Sequence, residues 1–212
     1  MNDEACELCR YGAALAAQGL ARAGSGNISV RLADGRILIS PSGEGLGSLR
    51  PDAVSVLDPD GRHLDGPAPS KEAPLHLAIY VSRPLAGAVV HLHTPYATAW
   101  SMVAGHDPSD CLPALTPYSI MRLGRVALLP FAVPGSSVLG DWVRAHATHH
   151  SAFLLANHGP VVSAKTLKDA VFAAEELEET ARLALLLKAL PHRALGAADI
   201  DAIEATFGDR YR

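Results

Sequence analysis

Residues 87–96 read GAVVHLHTPY. Ala88, Val89 and Val90 are apolar and mostly β-branched, which predicts a buried strand over 87–93. Period-two geometry then puts His91 and His93 on one face, a few ångströms apart. Two neighbouring buried imidazoles need a common partner, and a cation is the simplest one. Outward from this strand, apolar runs bounded by turn residues predict strands over 28–32, 36–40 and 54–58 upstream, and over 126–131 and 152–157 downstream. Asp34-Gly35 marks a hairpin between the first two, and Asp60-Gly61 a turn after the third. Helical spacing predicts helices over 3–22, 72–82, 96–104, 136–149 and 166–190, with Ser70 as the candidate cap of the second. Residues 105–124 read as a long polar loop. Hairpins interleaved with helices argue for a mixed sheet covered by helices, not a purely parallel one.

Composition removes several classes of function. The chain has 212 residues, with 18 Lys+Arg against 22 Asp+Glu, a net charge of −4. That offers no basic field for a nucleic acid. No apolar run approaches the ~20 residues that span a bilayer. The start, MNDEACELCR, is acidic and polar, unlike a secretory signal. Three cysteines cannot all pair, so a reduced, cytoplasmic protein is expected. With no repeat and no long linker, residues 1–212 read as one domain. The 10 histidines are the unusual count, because histidine is the commonest metal ligand.

His158 ends the apolar run Leu154-Leu155-Ala156-Asn157 and is the third candidate ligand. Glu72 follows Pro69-Ser70-Lys71 at a helix start, where its charge is favoured. His76, four residues on, is read as support that could hydrogen-bond Glu72, not as a ligand. His149-His150 diverge in direction and are set aside. Cys6-x-x-Cys9 lacks a second pair, and Cys111 stands alone, so all three cysteines read as structural. The run 175–179 (EELEE) reads as a solvated helix face. Three small-residue loops, 24–27, 40–43 and 70–71, could each offer donors to an anion.

Taken in order, GSGNIS at 24–29, SPSG at 40–43, PSKE at 69–72, HLH at 91–93 and NHG at 157–159 resemble the class II aldolase/adducin-domain family over most of residues 5–190. The resemblance implies a three-layer α/β/α sandwich around a mixed, mostly antiparallel sheet. It implies one divalent metal per subunit, Zn2+ first and Mn2+, Co2+ or Ni2+ otherwise, on His91, His93 and His158, with Glu72 approaching it as acid/base. It implies that Gly26, Asn27, Ser42, Gly43, Ser70 and Lys71 hold a substrate phosphate. It implies a homotetramer with sites at subunit interfaces and a small phosphorylated sugar-acid substrate. Residues 116–124, around Thr116-Pro117-Tyr118 and Met121-Arg122-Leu123-Gly124, and residues 152–162 are most similar to the 3-oxo-tetronate 4-phosphate decarboxylase branch. Tyr118 and Arg122 join Glu72 as catalytic candidates there, Arg122 because a guanidinium matches a carboxylate bidentately. The expected activity is decarboxylation of 3-oxo-tetronate 4-phosphate. A class II sugar-phosphate aldolase and a non-catalytic adducin-like module are the alternatives. A metallo-hydrolase fits less well, because His-Leu-His lacks the Asp-His continuation. Tyr211 is a weak counterpart of a C-terminal tyrosine that some aldolases contribute across the interface.

Overall fold

A computed structural model describes residues 3–211, with side chains to residue 208. Helix α1 (Asp3–Ala17) stops short of the expected residue 22. The amides of Gly19 and Leu20 turn back onto the carbonyls of Ala16 and Leu15, the paired closure that terminates helices. Strands β1 (Asn27–Arg31), β2 (Ile37–Ile39) and β3 (Ser55–Leu57) follow close to their expected places. β4 (His63–Asp65) is an edge strand whose three residues are all exposed, so it carries no apolar signature in the sequence. Then come α2 (Ala73–Ser82), β5 (Ala88–His91) and α3 (Pro95–Ser101).

The region expected to be a long loop contains α4 (Pro117–Leu123). Thr116 caps it by accepting the Ser119 amide, and seven residues are too few to show a periodicity. β6 (Val126–Leu129), α5 (Ser137–His146) and β7 (Ala152–Leu155) match expectation apart from their ends. β8 (Gly159–Ala164) was not expected, since Pro160 argues against a central strand. It is tolerated at the second residue, where its carbonyl still accepts the Leu92 amide. α6 (Leu167–Leu187), capped by Thr166, and α7 (Ala197–Tyr211), also unforeseen, complete the described residues.

The strands form one sheet in the order β4-β3-β2-β1-β5-β8-β7-β6. Every pairing is antiparallel except β6 with β7. Alternation along the central strands fills a core on each side. Val90, Leu154 and Val162 pack with α1, α3 and α6, and Val89, Phe153, Leu155 and Val161 with α2 and α5. This is the expected α/β/α sandwich around a mostly antiparallel mixed sheet. Among the described residues no helix is long and apolar enough to cross a membrane.

Candidate metal centre

The site lies where β1, β5 and β8 end together. Asn27 and Val161 sit on either side of His91 in the sheet register. β5 stops at His91, so His93 lies just past the strand and not on it as expected. Two close approaches fix the loops around it. A Cβ on Gly159 would sit 2.2 Å from the Leu92 carbonyl oxygen, and one on Gly26, whose φ is +82°, would sit 2.8 Å from that of His91. Only glycine lets the chains leading into β1 and β8 close on the end of β5.

Four side chains converge. The Nε2 atoms of His91 and His93 are 3.1 Å apart, those of His93 and His158 3.1 Å, and those of His91 and His158 3.3 Å. Glu72 places Oε2 3.2 Å from His91 Nε2 and Oε1 3.3 Å from His158 Nε2. The Nδ1–H of His91 donates to the Pro160 carbonyl at 2.8 Å, which turns its Nε2 lone pair into the cluster. Three ring nitrogens facing one point cannot all satisfy one another, and Glu72 Oε1 and His158 Nδ1 are buried without a hydrogen bond. A point equidistant from nitrogens so spaced lies about 1.8 Å from each in their plane, and about 2.0–2.1 Å when raised roughly 1 Å, a zinc–imidazole distance. The donor set therefore fits a divalent cation, and these four residues form the metal-competent group among the described residues. His93 is its exposed member, which leaves the open side for a substrate.

The electrostatics follow from burial. Burial alone would raise Glu72, but the hydrogen bond and charge of His91, then Asn27 and His158, outweigh it and hold the carboxyl below the usual range. Burial lowers His93 to about 4, with His91 and His158 adding to the shift and Glu72 opposing it. Burial and His91 lower His158 against the pull of Glu72.

Contrary to expectation, the His76 side chain does not bond the Glu72 carboxylate directly. Its Nε2–H donates to Asn27 Oδ1 at 2.5 Å, and the Asn27 amide donates to Glu72 Oε2 at 2.8 Å. On its other side, Nδ1 accepts from Ser29 Oγ at 2.7 Å, and Ser29 lies 2.8 Å from Tyr80 Oη. The bonds orient one another: Tyr80 to Ser29, Ser29 to His76, His76 to Asn27, Asn27 to Glu72. Burial pulls His76 down to about 3, so the ring in this chain is neutral.

The three small-residue loops do meet. Ile28 N–H donates to Ser40 Oγ, Ser70 N–H donates to the Ser40 carbonyl, and Pro41 bridges to Pro69. Within them the Asn27 amide is committed to Glu72, the Ser70 hydroxyl accepts the Glu72 amide, and the Ser42 amide donates to Ala68. Ser70 is thus not the cap of α2. That position belongs to Glu72, whose side chain is turned to the histidines instead. Gly26 is half-buried, while Ser42, Gly43 and Lys71 are exposed beside the site.

Tyr118 and Arg122 lie elsewhere in the chain. With Phe172, Glu175, Glu176 and Glu179 they line a groove between α4 and α6 that none of the four cluster residues borders. Arg122 stacks on Phe172 at 4.9 Å. The side chain of Tyr211 lies outside the described residues. His150 is bonded to the carbonyls of His146 and Ser109, away from the cluster. The cysteines are free. Burial raises the thiol of Cys9 and pushes that of Cys111 up to about 12, which fits unreactive packing residues.

Three histidines and a glutamate thus cluster at the end of the central strands of the sandwich, beside the three small-residue loops. A family model described as the Class II Aldolase and Adducin N-terminal domain matches residues 6–185, and the chain belongs to that family. It is 44% identical to the 3-oxo-tetronate 4-phosphate decarboxylase of Haemophilus influenzae, over 85% of this chain and 86% of that protein. It is 34% identical to the L-fuculose phosphate aldolase of Escherichia coli, over 81% and 78%. The crystal structure of YgbL from Escherichia coli superposes with a TM-score of 0.93 at 40% identity, covering 95% of this chain and 97% of that one.

Proposed function

We propose that this chain is a single catalytic domain that decarboxylates 3-oxo-tetronate 4-phosphate to dihydroxyacetone phosphate and CO2. The observation that carries the reading is the convergence of Glu72, His91, His93 and His158 on one point with an open side. The similarity to decarboxylases over most of the chain supports the choice of substrate. His91, His93 and His158 hold a divalent metal, Zn2+ first, with Glu72 beside it. The metal, when bound, supplies Lewis-acid stabilisation of the negative charge that reaches the substrate's oxygens as CO2 leaves.

The residues of the chain do the rest. Loss of CO2 breaks the C1–C2 bond and leaves its electron pair on C2, so one proton must come from solvent to C2. Glu72 takes up that proton and passes it on in this reading, with Asn27 bonded to its Oε2. Lys71, Ser70, Ser42, Gly43, Gly26 and Asn27 bind the phosphate, which orients the far end of the substrate and contributes through binding. Because Tyr118 and Arg122 lie away from the cluster of their own chain, the reading has them reach it from another subunit of a homotetramer, with Arg122 holding the carboxylate, in an enzyme of the cytoplasm.

The deciding experiment is a product assay in deuterium oxide. The expected outcome is CO2 release from 3-oxo-tetronate 4-phosphate, with one solvent deuterium at the former C2. Glu72→Gln is expected to slow turnover by ~10²-fold or more while the fold survives. Condensation of dihydroxyacetone phosphate with an aldehyde, without CO2 release, selects the aldolase reading instead.

A further inference from the structure

The acidic run 175–179 is not uniformly a solvated face. Glu178 is only 6% exposed. Its carboxylate reaches from α6 to the start of α3, where Oε1 accepts the Tyr96 N–H at 3.0 Å and Oε2 the Ala97 N–H at 2.8 Å. These are first-turn amides, which a helix's own N-cap side chain ordinarily satisfies. Thr94 occupies the N-cap of α3, but its side chain makes no capping bond, and its Oγ1 is buried without a partner. α3 therefore borrows its cap from another helix.

α3 is also bonded to both metal-competent loops. It begins two residues after His93. One turn on, the Thr98 hydroxyl donates to the His158 carbonyl at 3.2 Å. The Asn157 N–H donates to Ser101 Oγ at 3.0 Å, and the Ser101 hydroxyl donates to the Thr98 carbonyl at 2.7 Å. One short helix thus carries His93 covalently, holds the His158 loop by two hydrogen bonds, and is anchored to α6 through Glu178.

We propose that Glu178 is a positioning residue for the metal centre: by pinning α3 it sets the separation of His93 and His158. The proposal rests on the metal-centre reading above. Partners one step removed from metal ligands govern affinity as well as orientation.

Glu178→Gln keeps the size of the side chain but replaces one acceptor by a donor that faces a backbone N–H. Zinc affinity, by competition with a chelator, and the cobalt(II) absorption spectrum are read on the purified full chain. Zinc binding is expected to weaken about tenfold or more, and the cobalt spectrum to shift. Thr166→Ala, which removes the cap of α6 away from α3, is the control for loss of helix stability alone. It is expected to leave both readouts unchanged. If Glu178→Gln does not fold, Thr98→Val and Ser101→Ala test the same linkage and are expected to weaken zinc binding. Unchanged affinity and spectrum in these variants, or equal losses in Thr166→Ala, overturn the proposal. A wild-type protein that takes up neither metal overturns the metal-centre reading, and the proposal with it.

Discussion

His93 is the exposed member of a cluster whose other members are buried, so it contributes least to the core and most to an open coordination position. His93→Ala is expected to fold and to lose most of its bound metal, because it removes one of the three imidazoles that face the shared point. Elemental analysis of the purified variant checks this, and His149→Ala, outside the cluster, should keep its metal. His76 makes a different contribution. It sits at about 3 in the fold against 6.5 in the unfolded chain. Between those values the unfolded chain binds more protons, so stability falls as pH drops below about 6.5. The slope is at most about 1.4 kcal/mol per pH unit. Urea unfolding from pH 7 to pH 4 should show a shallower loss for His76→Gln than for the wild type. The same variant removes the donor that orients Asn27, so Glu72 loses its fixed partner.

At the scale of elements, the site depends on how closely three strand ends approach. Gly159 has the tighter requirement of the two glycines there: a methyl group would sit 2.2 Å from a backbone oxygen, against 2.8 Å at Gly26. Gly159→Ala is expected to push β8 off β5, costing about 1–3 kcal/mol and lowering metal affinity with it. Gly45→Ala is the matched control. Its φ of −74° suits alanine, and an added Cβ would meet nothing closer than 3.7 Å. Thermal unfolding of the two metal-free variants separates the cases. α4 shows the opposite side of the same principle. It is short, capped by Thr116 and started by Pro117, and its Tyr118 and Arg122 are held on the α6 face, away from the cluster of their own chain.

For the whole molecule, that separation bears on assembly. If Tyr118 and Arg122 act from a second subunit, Glu72→Gln and Arg122→Ala damage different halves of each site. Mixed subunits then rebuild some intact sites. Two variants that are each nearly inactive are expected to recover a measurable fraction of activity when unfolded and refolded together. No recovery places Arg122 outside the site.

Residue order alone determined a good deal. The β-branched run before His91, the Asp-Gly turn and the helix periodicities are local signals, and they carried the mixed sheet and most element positions. The motifs 24–29, 40–43, 69–72, 91–93 and 157–159 by themselves point to Glu72, His91, His93 and His158. Elements without a local signature were not legible. β4 is wholly exposed, β8 carries a proline, and α4 is two turns long. Nor could the sequence give the partners of the polar groups. The Asn27 side chain is bonded to Glu72, His76 acts one residue removed, and Glu178 leaves an acidic face to cap a distant helix. Each of these follows from contacts between residues 45 to 82 positions apart. Only the assembled sheet and the packing of α3 and α6 on it bring such residues within hydrogen-bond reach, and burial then favours a partner for the polar groups there.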